Sequence, residues 1–137
     1  MSIVWPVDVA SALADLTEIS SQVQAVAVVD ADGAVLGSTV AGEQADRLAE
    51  AGVGLLEAAT KRFGSSGRSV TQLEAALREG SLFVVREDGL GIIARTSAGP
   101  TSGLVFYDLR TCLRAVAATR KPKPRRRAAK KTETTDA

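Results

Sequence analysis

The stretch SVTQLEAALREG, residues 69–80, decides the fold because it supports two different secondary structures. Thr71 and Glu74 have the spacing of a helix-capping box, and Gly80 stands where such a helix would end. On propensity alone the stretch is predicted to be a helix. Apolar or small residues also alternate with polar ones, as in a half-buried strand, at Leu73, Ala75 and Leu77.

Two β-hairpins are predicted around this stretch. Residues 82–87 and 90–96 are strand-like, and the Asp88-Gly89 pair between them is a hairpin signal. Residues 25–30 and 34–39 are a second pair of short apolar segments rich in branched side chains.

The corner of this second hairpin resembles the start of a calcium loop, because Asp30 and Asp32 precede Gly33. A calcium loop needs further oxygen ligands, including a glutamate that closes it. The positions that follow, residues 34–36, are apolar. We therefore predict a hairpin corner, in which Gly33 provides a positive φ, and no metal site.

Three segments have the apolar period of a helix: residues 8–21, with Asp8 as N-cap, residues 43–63 and residues 104–118. The predicted stripe of the first helix is Ala12, Leu13, Leu16 and Ile19. The stripe of the second, expected to pack on a sheet, is Ala45, Leu48, Gly52, Leu55, Leu56, Ala59 and Phe63. The period of the third is set by Leu104, Tyr107 or Asp108, Leu109, Leu113 and Val116.

The long helix has a second stripe of small residues, Ala51, Gly54 and Ala58, flanked by Arg47 and Arg62. Glycine inside a helix costs about 1 kcal/mol relative to alanine. The stripe therefore has two readings, a close approach of another backbone or sequence drift at exposed positions.

Several classes of chemistry are disfavoured by composition. The chain has no histidine, the commonest general base and metal ligand, and neither common nucleotide-binding glycine motif. The single cysteine, Cys112, is read as a small buried residue, and the pairs Asp15/Glu18 and Asp30/Asp32 as solvated carboxylates. We therefore expect no enzymatic activity and no cofactor. A lone cysteine and the lack of a signal sequence or membrane span favour the cytoplasm.

The last residues differ from the rest, since residues 120–137 hold eight of the 17 basic residues and two of the 16 acidic ones. Residues 119–137 are predicted to be a disordered tail behind a domain of residues 1–118. Its candidate phosphate contacts are Arg120, Lys121, Lys123, Arg125, Arg126, Arg127, Lys130 and Lys131. Such a tail binds nucleic acid or an anionic membrane, or only keeps the chain in solution.

The order of these segments resembles the roadblock/dynein light chain family, especially its bacterial members that regulate small Ras-like GTPases. The resemblance lies in LADLTEISSQVQAVAVVDADGAVLGS (13–38), SLFVVREDGLGIIART (81–96) and TSGLVFYDLRTCLRAV (101–116). It covers about residues 8–118 and concerns the pattern of the fold rather than a catalytic signature. The basic tail lies outside it.

The resemblance implies an α/β fold of the α+β type, in the order α-β-β-α-β-β-β-α. A five-stranded antiparallel sheet would carry two helices on one face and one on the other, and residues 69–77 would be a strand. Members of the family pair their third strands and second helices in homodimers or heterodimers. This assigns a dimer interface to Ala51, Gly54, Ala58, Val70, Thr71, Gln72, Leu73 and Ala75.

The function implied by the resemblance is that of a non-catalytic regulator or scaffold, which dimerises, binds a small Ras-like GTPase and stimulates its hydrolysis of GTP. Arg47 and Arg62 are the candidate contacts with this partner. The alternative function is a dimeric module whose basic tail binds nucleic acid or an anionic membrane.

Overall fold

The computed structural model describes residues 9–65 and 67–120, which form three helices and one antiparallel sheet. The elements in chain order are α1 (Val9–Ile19), β1 (Val23–Val29), β2 (Val35–Ser38), α2 (Gly42–Phe63), β3 (Gln72–Ala76), β4 (Gly80–Glu87), β5 (Leu90–Ser97) and α3 (Ser102–Arg120). The predicted element order and fold class are confirmed. The predicted N-cap Asp8 lies outside the described residues.

The sheet has the strand order β2-β1-β5-β4-β3, so β2 and β3 form its two edges. Within the stretch of residues 69–80, Gln72–Ala76 form the strand β3. This strand pairs with β4 in antiparallel register, with Leu73 opposite Val84 and Ala75 opposite Leu82. The helix favoured by local propensity is therefore wrong, and the capping box does not form. The carbonyl of Thr71 instead accepts a hydrogen bond from the N–H of Arg86 at 2.8 Å. Pairing with β4 overrides a helix preference of a few tenths of a kcal/mol per residue.

The sheet separates two apolar layers. Helices α1 and α3 pack on one face, where Leu16, Phe83 and Leu109 are fully buried. Helix α2 packs on the other face, and its Leu56 is buried against Val84 and Ile93. The predicted division of two helices and one helix between the faces is confirmed.

Four residues predicted to face the core are exposed. Ile19 is 64% exposed because it ends α1, and the buried position that follows Leu16 is taken by Ser20. Leu55 and Phe63 of α2 are 40% and 83% exposed, since the buried stripe is Ala45, Leu48, Ala49, Gly52 and Leu56. In α3 only the first position of the predicted stripe is wrong, because Leu104 is exposed and Val105 is buried instead. Leu109, Leu113 and Val116 are buried as predicted. Asp108 rather than Tyr107 lies on the inner face of α3.

The carboxylate of Asp30 stabilises the corner of the β1–β2 hairpin through hydrogen bonds with backbone N–H groups of the turn. An oxygen of Asp30 accepts hydrogen bonds from the N–H groups of Asp32 at 2.9 Å and Ala34 at 3.0 Å. Gly33 has a φ of 89°, as the turn prediction required. No group of three potential metal ligands occurs in the described part of the chain.

Cys112 lies buried between α3 and α1, and its Sγ is 3.5 Å from the carbonyl oxygen of Ala12. Desolvation by burial, assisted by the charge of Asp15, raises the pKa of the thiol from 9.0 to about 11. At neutral pH the side chain is therefore an uncharged core residue, as predicted.

The raised pKa of Cys112 predicts a loss of stability in alkaline solution. The folded state holds the thiol proton more tightly than the unfolded state. This stabilisation is complete below pH 9 and is lost as the pH rises to about 11. Urea unfolding of the wild type and Cys112→Ala between pH 8 and pH 11 should show a steeper decline in the wild type. Equal slopes of the free energy of unfolding against pH in the two proteins would contradict the raised pKa of Cys112.

Candidate functional site: the exposed face of helix α2 and the edge of strand β3

Helix α2 presents opposite faces to the sheet and to solvent, and two glycines show the difference. A Cβ atom on Gly52 would lie 2.2 Å from Cγ1 of Ile93, so this glycine permits the close contact of α2 with the sheet. A Cβ atom on Gly54 would have no atom within 4 Å. Gly54 therefore does not serve the packing of the described fold.

The predicted small-residue stripe lies on this outer face, where Ala51, Gly54 and Ala58 are all exposed. Leu55 lies on the same helix and is also exposed, as is Phe63 at the end of the helix. Exposed apolar and small residues on one helix let another backbone approach closely. The structure thus provides an uncovered helix face at the predicted positions.

Strand β3 has a free edge whose polar backbone groups can be assigned. The carbonyl of Thr71 and the N–H of Leu77 form hydrogen bonds with Arg86 and Gly80, respectively. In an antiparallel ladder every second residue bonds to the same neighbour, so Leu73 and Ala75 also face β4. The N–H and C=O groups of Gln72, Glu74 and Ala76 point away from the sheet. Such an edge is a template for a further strand.

The side chains of the predicted interface strand divide between the two faces of the sheet. Leu73 and Val70 are half-buried against the α2 side of the core, and the N–H of Val70 donates a hydrogen bond to Oγ1 of Thr60. Gln72 lies on the other face, where its Oε1 accepts a hydrogen bond from Nη1 of Arg110. Thr71 is exposed and Ala75 is half-buried.

Two arginine contacts from α3 to this side of the sheet were not identified from the sequence. Besides the bond from Arg110 to Gln72, the guanidinium of Arg114 contacts the carboxylate of Glu87 at 3.0 Å. This hydrogen-bonded contact raises the pKa of Arg114. Arg110 and Arg114 are spaced as i and i+4, so they lie on one side of the helix. Only knowledge of the register of β3 and β4 would have revealed their partners.

The two predicted partner contacts on α2 differ in their surroundings. Arg47 forms an exposed ion pair at 3.0 Å with Glu43, one turn earlier in the same helix. Arg62 is exposed and has no ion pair with any described residue. Arg62 is thus the freer of the two cations, and it immediately precedes the exposed Phe63.

The basic tail falls almost wholly beyond the described chain. Arg120 is the last residue of α3, two positions past the predicted end of this helix. The other seven predicted phosphate contacts lie outside the described residues. Among the helices that are described, none combines the length and apolar character needed to cross a membrane.

Comparison with known proteins gave matches in structure alone. No family model and no curated protein matches the sequence. A roadblock/LC7 domain from Streptomyces avermitilis matches with a TM-score of 0.71 at 21% identity, over 81% of this chain and 96% of that one. The gliding protein MglB from Thermus thermophilus matches with a TM-score of 0.71 at 14% identity, over 87% of this chain and 92% of that one.

MglB from Myxococcus xanthus matches with a TM-score of 0.65 at 16% identity, over 80% of this chain and 92% of that one. These matches share the element order and sheet that the sequence resemblance implied. At such identities the likeness concerns the fold, and the chain has the roadblock/LC7 fold.

Proposed function

We propose that this chain is a non-catalytic regulator or scaffold that forms a homodimer and binds a small Ras-like GTPase. The observation that carries the proposal is that one chain presents both a free edge of β3 and an exposed face of small residues on α2. A related roadblock-like chain is the other dimer partner that these surfaces fit. The proposed compartment is the cytoplasm.

The dimer is supported by the chemistry of both surfaces. Three residues of β3 present unpaired backbone groups, and pairing with a second β3 satisfies them. A two-fold axis brings the same residues of both chains together, so Ala51, Gly54 and Ala58 would meet their own copies. One of the matching MglB structures is described as having a tetrameric arrangement, which supports the assembly of several chains in that relative.

The GTPase is the proposed partner because the sequence most resembles the bacterial roadblock regulators of Ras-like GTPases, and three of the structural matches are MglB proteins. The proposal assigns the chemistry of hydrolysis to the GTPase. In the described residues Asp15 and Glu18 lie at the surface, and Asp30 and Asp32 lie in a turn. The thiol near Asp15, that of Cys112, is buried, and its pKa of about 11 keeps it protonated at neutral pH. The resemblance implies that the dimer stimulates hydrolysis by arranging the GTPase's own residues, and no residue of this chain is assigned the role of an arginine finger.

The proposal is tested by affinity capture with the tagged full chain from its source cells, in the presence of a GTP analogue or of GDP. We expect a small GTPase, identified by mass spectrometry, to be recovered preferentially with one nucleotide. The purified pair should then hydrolyse GTP faster than the GTPase alone in single-turnover measurements. Recovery of no GTPase under either condition would refute this partner.

The exposed cation on α2 gives a prediction for partner binding. Arg62→Glu is expected to weaken binding of the GTPase about tenfold or more, because it reverses a charge that has no partner within the described chain. The dimer mass should stay unchanged. Lys61→Glu, at the neighbouring exposed position, is the matched control and should have a smaller effect. Titration calorimetry measures both, and equal losses would show that Arg62 is not a specific contact.

A further inference from the structure

Arg110 of α3 is a half-buried cation whose only hydrogen-bond partner in the described chain is neutral. Its Nη1 donates a hydrogen bond to the amide Oε1 of Gln72, and it forms no ion pair with any described residue. The neighbouring Arg114 differs, because its guanidinium contacts the carboxylate of Glu87 at 3.0 Å. A guanidinium has five N–H donors and binds a carboxylate through two of them. Arg110 therefore has donors left for an anionic group.

Space for such a group is present beside Arg110. A depression of about 210 Å³ is lined by Arg110, Gln72, Thr71 and Glu87 among others. It lies at the start of β3, which is an edge strand of the sheet. Glu87 is already engaged by Arg114. A carboxylate for Arg110 must therefore come from a different part of the molecule or from another chain.

Glu74 of β3 provides a carboxylate on the correct face of the sheet. Gln72 and Glu74 both lie on the α3 face, because the residues opposite them on β4 are Val85 and Phe83 of that apolar layer. Glu74 is exposed and has no ion pair or side-chain hydrogen bond within the described residues. Alternate Cα atoms of one strand are about 7 Å apart, whereas residues directly opposite on paired antiparallel strands are about 5.5 Å apart. Glu74 of a second chain can therefore come closer to Gln72 than Glu74 of the same chain.

A two-fold axis restricts the ways in which two copies of β3 can pair. Residues that point outward from one strand must face outward-pointing residues of the other. Near the centre of β3 the axis can therefore pass through Leu73, Glu74 or Ala75 of both chains. An axis at Glu74 sets this carboxylate opposite its own copy, and like charges directly opposite each other are destabilising. The charges thus disfavour the central register.

The two remaining registers place opposite charges beside Arg110. An axis one residue later in the chain sets Arg78 of the second chain opposite Gln72, where it meets the like charge of Arg110. An axis one residue earlier sets Glu74 of the second chain opposite Gln72 instead. Of the three registers, this last one, with the axis at Leu73, brings a carboxylate directly opposite the residue that binds Arg110.

We propose that two copies of β3 pair with the two-fold axis at Leu73, and that Arg110 of each chain forms an ion pair with Glu74 of the second chain. The inference rests on the proposed homodimer and adds its register and its partner charges. The two ion pairs determine which register forms, whereas backbone hydrogen bonds and apolar contacts provide most of the affinity. The same axis brings Leu73 of both chains together on the face of the sheet that carries α2.

The register is tested by disulfide formation between cysteine variants of the full chain. In the proposed register Leu73→Cys sets two thiols in a non-hydrogen-bonded pair with Cα atoms about 4.5 Å apart, which a disulfide can span. Ala75→Cys reports the later axis, and a mixture of Thr71→Cys with Leu77→Cys reports the central one. In a glutathione redox buffer we expect Leu73→Cys to form linked dimers at least about tenfold faster than the others. Cys112 is buried and does not compete.

The ion pair is tested by exchanging its charges. Arg110→Glu and Glu74→Arg should each raise the dimer dissociation constant about tenfold or more, because each sets like charges beside each other. The double variant should return to within about threefold of the wild type. Arg114→Gln is the matched control on the same side of α3, and it should leave the dissociation constant unchanged. Sedimentation velocity measures association, and circular dichroism confirms that each variant is folded.

The two experiments separate this inference from the homodimer on which it rests. Faster disulfide formation by Ala75→Cys or by the mixture would overturn the register, and a double variant that is not restored would overturn the ion pair. In both cases the homodimer would stand. A wild-type chain that stays monomeric would refute the homodimer and the inference together. If Leu73→Cys is unstable, the exchange of charges still decides between the outcomes.

Discussion

Gly52→Ala is expected to lower the free energy of unfolding by about 1 to 3 kcal/mol, although alanine is the better helix former. The new Cβ would lie 2.2 Å from Cγ1 and 2.8 Å from Cγ2 of Ile93. Ile93 is fully buried in the central strand β5 and is held there by packing. Either its side chain must shift towards the small cavity that it lines with Leu56 and Val84, or helix α2 must move away from the sheet. Urea unfolding followed by circular dichroism measures the loss.

Gly54→Ala is the matched control on the same helix, two positions away. A Cβ at this position meets no atom within 4 Å, and the residue is exposed. Alanine should therefore stabilise the folded monomer by about 0.5 to 1 kcal/mol through its higher helix propensity. Because Gly54 belongs to the proposed dimer interface, both variants are compared at a protein concentration low enough to keep the chain monomeric. A neutral or stabilising Gly52→Ala would contradict the described packing of α2 on β5.

Glu74→Pro is expected to convert the proposed dimer into a folded monomer. The N–H of Glu74 points away from β4, so proline at this position removes no hydrogen bond within the described sheet. It does remove a donor that a second β3 would need, and its ring obstructs the approach of that strand. We expect the dimer dissociation constant to rise at least about a hundredfold. Sedimentation velocity and circular dichroism together report mass and fold.

Ala75→Pro is the contrasting variant, one residue further along the strand. The N–H of Ala75 faces β4, so proline there breaks a hydrogen bond of the sheet and should destabilise the monomer. If Glu74→Pro unfolds the chain while Ala75→Pro is tolerated, the assigned free edge of β3 is wrong. If Glu74→Pro remains a dimer, the dimer does not form through this edge.

The conflict at residues 69–80 shows where sequence reasoning reaches its limit. The capping pattern of Thr71 and Glu74 is a local signal, and it points to a helix. The strand forms because Leu73 and Ala75 pair with Val84 and Leu82, which is a tertiary contact. Propensity contains no information on that pairing. The resemblance to the roadblock family implies the order of helices and strands along the chain, and on that basis it predicted the strand.

The helices were predicted better in extent than in orientation. Period alone placed Leu55 and Phe63 of α2, and Ile19 and Leu104, in the core, whereas all four are exposed. A shift of one residue turns a side chain by about 100° around the helix. A residue one position away from the buried row can therefore face solvent, because the sheet covers only one side of each helix.

The candidate site was predictable in its small residues but not in its charges. Gly54 and its alanine neighbours stood out because glycine is costly inside a helix. The ion pair of Arg47 with Glu43 follows from their i, i+4 spacing, while the contact of Arg114 with Glu87 requires the fold. The burial of Asp108 was likewise undetermined, since the sequence left open whether Tyr107 or Asp108 faces inward.

The proposal that β3 and α2 assemble two chains is tested most directly by sedimentation equilibrium of the full wild-type chain at micromolar concentration. One chain has a mass of 14.2 kDa. The account predicts a mass of twice this value that is independent of salt, because apolar contacts and backbone hydrogen bonds hold the dimer. A mass of one chain throughout the micromolar range would contradict the dimer and, with it, the proposed mode of binding the GTPase.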